Sequence, residues 1–358
     1  MKFRRIGVLT SGGDAPGMNA VVRAVTRKAI DNGLEVVGIK GGYRGLIEND
    51  VIDLKVRTVT NIVGRGGTIL KTDRCDEFKT AEGMAKALET CRANNIDAIV
   101  AIGGDGTFRG ATDLSNHGIP TIGVTGTIDN DISATDYTVG FDTAMNTTIE
   151  MIDRLRDTAE SHARCMVAEV MGRDCGEIAL YAGLASGSVA IAIPEIEFDI
   201  DACLEKMAAQ RAAGKRNFII IVSEGVKSIK EGESFGATLA SMVQSKTGIE
   251  TRFNEFGHIV RGGDPSLRDR VAASRMGAKA VELLLEGKSN LIVCERNSQI
   301  VSVDINYART LDNMYKNKLK PGALDGYTEE QIAEMKAFCE EKRAFVRELY
   351  DLANGLSK

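Results

Sequence analysis

Residues 124–131 read Val-Thr-Gly-Thr-Ile-Asp-Asn-Asp and place two carboxylates two positions apart, just after the apolar, β-branched run Ile119-Pro120-Thr121-Ile122-Gly123. That run has the composition of a buried strand. If the chain stays extended beyond it, Asp129 and Asp131 point to one side and Asn130 to the other. Like charges this close repel, so such a pair serves a proton, a cation or a ligand hydroxyl. A solvated turn built from Asp and Asn is the structural alternative. Two glycine-rich stretches share the same setting, Ser11-Gly12-Gly13-Asp14-Ala15-Pro16-Gly17 after the apolar run 6–10, and Gly103-Gly104-Asp105-Gly106-Thr107 after 96–102. Loops of this kind expose backbone N–H groups to anions, and a following helix adds its positive end. Both point to a phosphate-rich ligand, although glycines at strand ends also serve simply as turns. Asp105 among phosphates is repelled unless a cation lies between, which implies Mg²⁺ held by one or two carboxylates plus phosphate oxygens.

Transfer of a phosphoryl group needs a base for the attacking hydroxyl, a metal, and cations on the developing charge. Asp129, Asp105 with Mg²⁺, and Arg173 at the end of an apolar strand over 166–171 supply candidates for the three roles. Arg164, Arg252 and Arg261 suit a second anionic group, because the guanidinium fork matches phosphate. A solvated surface position is the alternative for each of them. Glu224, closing the strand 218–222, suits a sugar hydroxyl. His258 taken alone reads as a structural histidine. The usual phosphate loop is absent: Gly287-Lys288-Ser289 has its last three letters, but Glu282 stands where the first glycine belongs and the tripeptide follows a helix. No His-Glu-x-x-His pair occurs.

The elements that must hold these residues follow from periodicity. The chain opens strand, loop, helix (18–32), strand (34–39), the start of a parallel sheet. Helices are expected over 80–94, through Leu114, and over 138–161, 175–186, 199–213 and 267–287. Strands are expected at 189–193 and 291–294 as well. In an open parallel sheet the ligand crevice lies beyond the carboxyl ends of the strands, and the loops carrying Asp14, Asp105 and Asp129 all leave such ends. A second α/β lobe begins near residue 140. After Pro321-Gly322 a tail follows, in which Thr328 and Gln331 have capping-box spacing and Ile332, Met335, Phe338, Cys339, Val346 and Leu349 form an apolar stripe. This helix is expected to pack on the body or on another subunit.

Composition closes off several classes. The 358 residues are 43% hydrophobic and 27% charged, which is ordinary for a globular chain, and the net charge of −5 disfavours nonspecific nucleic-acid binding. No run approaches the ~18 apolar residues of a membrane span. The basic start Met1-Lys2-Phe3-Arg4-Arg5 is followed by an apolar run too short for a secretory signal. The seven cysteines lack a Cys-x-x-Cys pair and read as reduced cytosolic thiols, and three histidines are too few for a histidine-rich metal centre.

Together, Thr-Ser-Gly-Gly-Asp-Ala-Pro-Gly-Met-Asn (10–19), Gly-Gly-Asp-Gly-Thr (103–107), Gly-Thr-Ile-Asp-Asn-Asp (126–131), Val-Met-Gly-Arg (170–173) and Gly-His-Ile-Val-Arg-Gly-Gly (257–263) resemble the bacterial 6-phosphofructokinase family over residues 3 to 310. The resemblance implies an α/β fold of two Rossmann-like three-layer lobes with mostly parallel sheets, plus a helical tail. It implies a cytoplasmic homotetramer that transfers the γ-phosphoryl group of ATP, with Mg²⁺, to the 1-hydroxyl of fructose 6-phosphate in glycolysis. The nucleotide-binding lobe would be 1–139 with 253–306, the sugar-phosphate lobe 140–252 with 307–320, and the extension 321–358.

Carried over residue by residue, the resemblance implies that Asp129 is the catalytic base, Arg173 the transition-state cation and Thr127 a contact to the transferred group. It places Gly13, Tyr43, Arg74, Gly104, Asp105, Gly106 and Thr107 at the nucleotide, with Asp105 as the magnesium carboxylate. It places Asp131, Met171, Gly172, Glu224 and His258 at the sugar, and Arg164, Arg252 and Arg261 at its 6-phosphate, the first two from a neighbouring subunit. Arg23, Arg27, Arg156 and Lys215 match the cationic residues of the family's effector site. Val189 stands there in place of a glutamate and Val56 in place of an arginine, so regulation by ADP and phosphoenolpyruvate is expected to be weak or altered. Glycine at 106 and 126, where diphosphate-dependent relatives tend to carry Asp and Lys, favours ATP as donor. A diphosphate-dependent enzyme, a regulatory subunit without catalysis, and a lipid or NAD kinase are the alternatives. The presence of Asp129, Thr127 and Arg173 argues against the second, and the 127–131 loop against the third.

Overall fold

The computed structural model describes residues 3–357. In chain order they form β1 (Arg5–Thr10), α1 (Met18–Asp31), β2 (Glu35–Ile39), α2 (Tyr43–Glu48), β3 (Val51–Leu54), α3 (Ala81–Ala93), β4 (Ala98–Gly103), α4 (Asp105–Asn116), β5 (Thr121–Thr125), α5 (Phe141–His162) and β6 (Cys165–Val170). There follow α6 (Glu177–Ser186), β7 (Ala190–Ala192), α7 (Ile200–Ala212), β8 (Phe218–Ser223), α8 (Phe235–Thr247), β9 (Thr251–Glu255), α9 (Leu267–Leu285), β10 (Leu291–Arg296), β11 (Gln299–Asp304), α10 (Ile305–Tyr315) and α11 (Glu329–Leu356). The expected α/β architecture is present, with two mostly parallel sheets and a C-terminal helix.

The chain divides into two compact units. Unit 1 takes the residues up to Ile128, Ile132–Thr143 and Arg261–Asp325; unit 2 takes Asp129–Asp131, Ala144–Val260 and the residues from Gly326 onward. Relative to the boundaries read from the sequence, 253–260 group with unit 2, because β9 pairs with β6. Residues 307–320 group with unit 1, where α10 packs on α4.

Unit 1 is built on a seven-stranded sheet in the order β11-β10-β5-β4-β1-β2-β3. Its inner strands are parallel, with Val8 facing both Gly38 and Val100. Each edge is an antiparallel strand, β3 on β2 and β11 on β10. The strands β1, β4 and β5 are near-continuous apolar runs because helices cover both of their faces. One cover is the α1–α9 pair, whose backbones approach closely at Gly277: a side chain there would meet Ala24 Cβ and the Val21 carbonyl at 2.9 Å. Unit 2 has a four-stranded, all-parallel sheet in the order β7-β8-β6-β9. Its core includes Val167, Val189, Met207, Phe218, Ile220, Leu239 and Val243.

The C-terminal helix behaves as its spacing predicts. Gln331 N–H donates to Thr328 Oγ1 at 3.2 Å and Thr328 N–H to Gln331 Oε1 at 3.0 Å, closing the capping box. Met335, Cys339, Val346 and Ala353 are buried, and the helix packs against α6 within unit 2. Among the described residues no helix is long and apolar enough to cross a membrane.

Candidate active site

In unit 1, three loops are stitched together at the carboxyl ends of β1 and β4. Ser11 N–H donates to the Ile102 carbonyl at 3.0 Å, and Thr107 Oγ1 donates to the Ser11 carbonyl at 2.9 Å. Gly103 has no room for a side chain, since a Cβ would lie 2.3 Å from Thr107 Oγ1 and 2.4 Å from the Ser11 carbonyl. The segment 68–74 closes the third side. Thr10 Oγ1 donates to the Lys71 carbonyl and Thr72 Oγ1 to the Gly12 carbonyl, each at 2.7 Å. Arg44 holds the far end of this segment through Asp73 and donates to the Arg74 carbonyl at 3.3 Å. Arg74 itself is exposed.

The nucleotide residues sort into supports and faces. Tyr43 is buried, donates its hydroxyl to the Thr107 carbonyl and stacks on Phe78 with ring centroids 4.2 Å apart. Burial pushes its phenol far above the usual range, with Asp113 adding to the effect. Its role is therefore to brace the start of α4. Gly104 precedes that helix and Asp105 is its first residue. A Cβ on Gly106 would meet nothing within 4 Å, so this position faces open space, whereas one on Gly126 would meet Ile102 at 3.1 Å. Asp105 is ion-paired with Arg309 at 3.2 Å and with Arg109 at 4.0 Å. Arg309 comes from α10, 204 residues further along the chain, and no local motif announced it.

Two further unit 1 residues lie by these loops. Thr127 is buried, its carbonyl accepts from Thr138 Oγ1 at 2.6 Å, and its Cβ lies 3.9 Å from where a Cβ on Gly104 would stand. Arg261 lies against the first glycine loop, donating to the Asp14 carbonyl at 3.4 Å. A Cβ on Gly13 would come within 2.6 Å of its Nη1.

In unit 2, the 129–131 turn departs from the extended form expected of it. Asn130 is left-handed, with φ of 49°, so the alternation rule does not govern where the two carboxylates point. Asp129, Asn130 and Asp131 are all buried. Asn130 donates its side-chain amide to Glu177 Oε2 at 2.7 Å, a partner the sequence reading missed. Asp131 pairs with Arg173 at 3.4 Å; the carboxylate is 5% exposed and the guanidinium 60%.

The turn after β6 is strained in a second way. Gly172 has φ of 144° and Arg173 φ of 54°. Glu224 Oε1 holds this pair by accepting from Gly172 N–H at 3.1 Å and Arg173 N–H at 2.8 Å. One oxygen of Glu224 is thus committed to the backbone that presents Arg173, a duty its position at a strand end did not reveal. Met171 is buried beside this turn and His258 is exposed in the short 3₁₀ turn Gly257–Arg261. Arg164 and Arg252 are brought together by Glu250, at 2.9 Å from Arg164 and in contact with Arg252. The hydrogen bond from Arg164 holds the Glu250 carboxyl below the usual range.

The cationic residues matched to the effector site fall in both units. Arg23 and Arg27 are half-buried, one turn apart on α1 in unit 1. In unit 2, burial first and Arg156 second lower the Lys215 ammonium from its ordinary value, while Arg156 donates to the Ser186 carbonyl. Val189 is 1% exposed, inside the apolar core.

Two helix-covered, mostly parallel sheets, with glycine loops at strand ends, a carboxylate heading a helix and an arginine presented by a strained turn, define an α/β phosphotransferase. The phosphofructokinase family model matches residues 5–284. The chain is 50% identical over 313 residues to the ATP-dependent 6-phosphofructokinase of Alkaliphilus metalliredigens, covering 87% of this chain and 96% of that one. It is 53% identical over 303 residues to that of Halalkalibacterium halodurans, covering 85% and 93%. The structure of phosphofructokinase from Saccharomyces cerevisiae is similar with a TM-score of 0.83 at 32% identity, covering 94% of this chain and 50% of the yeast chain, so this chain spans about half the yeast length. A pyrophosphate-dependent phosphofructokinase from Marinobacter aquaeolei shares the fold, with a TM-score of 0.74 at 24% identity, covering 85% of this chain and 83% of that one. The chain belongs to the phosphofructokinase family.

Proposed function

We propose that this chain transfers the γ-phosphoryl group of MgATP to the 1-hydroxyl of fructose 6-phosphate, giving fructose 1,6-bisphosphate and ADP. The observation that carries the reading is the buried 129–131 turn, with Asp131 tied to Arg173 at 3.4 Å. A base and a cation presented side by side are what the reaction requires of a protein. Asp129 takes the proton from the sugar hydroxyl as its oxygen bonds to the γ-phosphorus. The bond from that phosphorus to the β,γ-bridging oxygen breaks, and ADP leaves. Arg173 and Thr127 face the charge spreading over the transferred group. Asp131, Met171, Gly172, Glu224 and His258 hold the sugar, and Arg164, Arg252 and Arg261 its 6-phosphate. Gly13, Tyr43, Arg74, Gly104, Gly106 and Thr107 serve the nucleotide. Unit 1 is the nucleotide lobe and unit 2 the sugar-phosphate lobe.

Asp105 suits Mg²⁺. It is a hard oxygen donor at the head of a helix, and its side chain is 40% exposed. When bound, the ion neutralises charge on the β- and γ-phosphates.

Further parts of the reading are a homotetramer in the cytoplasm, in which Arg164 and Arg252 act on a neighbour's substrate. They also include an anion site between subunits, drawing on Arg23, Arg27, Arg156 and Lys215, whose control is weak, because Val189 offers neither charge nor acceptor. One experiment on purified protein covers these points: light scattering for mass, then initial velocity against fructose 6-phosphate with ATP or diphosphate, with and without ADP and phosphoenolpyruvate. A four-chain mass, preference for ATP and a curve little moved by either effector are expected. Equal or greater velocity with diphosphate overturns the donor, and a sigmoidal curve made hyperbolic by ADP overturns the regulatory part.

A further inference from the structure

The C-terminal helix carries a lysine on its buried face. Met335, Cys339 and Val346 of α11 are buried against unit 2, and Lys342 shares their face at helical spacing, one turn before Val346. A lysine is seldom buried unless paired. Here its ammonium lies 3.3 Å from Glu177 Oε1, with side-chain exposures of 15% and 10%. The other oxygen of Glu177 accepts the Asn130 amide at 2.7 Å. Asn130 is the middle residue of the 129–131 turn, 1% exposed and left-handed.

We infer that Lys342 is a positioning residue for the catalytic turn, acting through Glu177 and Asn130. The inference rests on the proposed roles of Asp129 and Asp131. Its physical basis is the two-ended hold on one carboxylate. Glu177 opens α6, and its two oxygens are each committed, one to an ammonium and one to an amide, so the side chain has one orientation. Without the ammonium, the buried carboxylate loses its counter-charge and turns toward water. That change slackens its grip on Asn130, and the left-handed turn that aims Asp129 and Asp131 relaxes toward ordinary backbone. The lysine also offsets a second acid at the head of α6. Burial pushes the Glu195 carboxyl up, Lys342 opposes that shift, and Glu195 Oε1 accepts the Gly176 N–H at 2.9 Å. The helix is fixed well enough to hold a charge in place. The capping box sets its start, and near its end the Ser357 carbonyl accepts from Gln210 of α7 at 2.6 Å.

The test uses the full chain and its variants, assayed with ATP and fructose 6-phosphate and followed by amide hydrogen exchange over 126–135. Lys342→Met is expected to lower kcat by about 10- to 100-fold, the scale of a small misplacement of reacting groups. The KM for ATP should stay within about twofold, because the residues assigned to the nucleotide lie in unit 1. Exchange at 129–132 should quicken while the β6 and β8 amides keep their protection. Lys342→Arg retains the charge and should recover most of kcat. If Lys342→Met fails to fold because Glu177 is left unpaired, Glu177→Gln with and without Lys342→Met gives the same comparison without a lone buried carboxylate. The double variant should then match Glu177→Gln, since the two residues act in series. The inference is overturned by a kcat for Lys342→Met within twofold of the parent, by unchanged exchange at 129–132, by Lys342→Arg as slow as Lys342→Met, or by additive effects in the double variant. Should the parent make no fructose 1,6-bisphosphate, the functional reading fails and the exchange measurement alone decides the inference.

Discussion

Asp129 is the residue on which the proposed chemistry depends most directly. Asp129→Asn keeps the size and removes the base, and kcat should fall by about 10² to 10⁴-fold. Fructose 6-phosphate binding, measured by calorimetry, should persist, because the arginines assigned to its phosphate are untouched. A near-normal kcat would remove Asp129 from the base role. The residue types at this site were legible because they sit in contiguous motifs, but their partners were not. Glu224 and Glu250 show why. Each was readable as a carboxylate near the ligand, or not at all, while the structure commits Glu224 to the Gly172 and Arg173 amides and Glu250 to two arginines. Apart from Glu250 with Arg252, two positions away, those bonds join residues dozens of positions apart, and no spacing rule connects them. The extended form assumed for 129–131 failed for a local reason: Asn tolerates the left-handed region, and a turn took the place of two further strand residues.

At the scale of elements, α9 does more than cover the sheet. Its Asp269 is fully buried and both carboxylate oxygens are in use. Oδ1 accepts from Gly140 N–H at 2.6 Å and from the Tyr137 hydroxyl, and Oδ2 accepts from Thr143 N–H at 2.9 Å and the Thr143 hydroxyl. The helix start thereby fixes the 137–143 segment that follows the 126–131 loop. Asp269→Asn places an NH₂ opposite two donors and should cost about 2 kcal/mol or more, read as a melting-point drop of about 5 °C. An unchanged melting point would show that the segment is held by other means. The helices α1, α3, α7 and α9 lie within two or three residues of their expected ends. The missed strands β3, β9 and β11 are sheet edges, partly exposed and without an apolar run. The missed helices are the short α2, and α8 and α10, and with α10 went Arg309.

At the scale of the whole chain, the two α/β units and the helical tail were legible because strand and helix patterns alternate from the start. The membership of 253–260 and 307–320 was not, since it is decided by which strand or helix each stretch meets. The order of the strands also has a consequence for biosynthesis. β10 pairs with β5, Val293 facing Val124, across a gap of well over a hundred residues, whereas the sheet of unit 2 is complete by Glu255. A ribosome therefore delivers every strand of the later unit before the earlier one can close. Throughout that interval the edge of β5, buried in the finished fold, stands open to other nascent chains. A chain halted after Asn290 should bind a hydrophobic dye and aggregate, with exchange protection confined to β6, β7, β8 and β9. A soluble arrested chain with β1, β4 and β5 equally protected would mean that the edge is shielded before its partner arrives. On the expected outcome, the vulnerable moment in the life of this enzyme lies in its synthesis, before β10 is made.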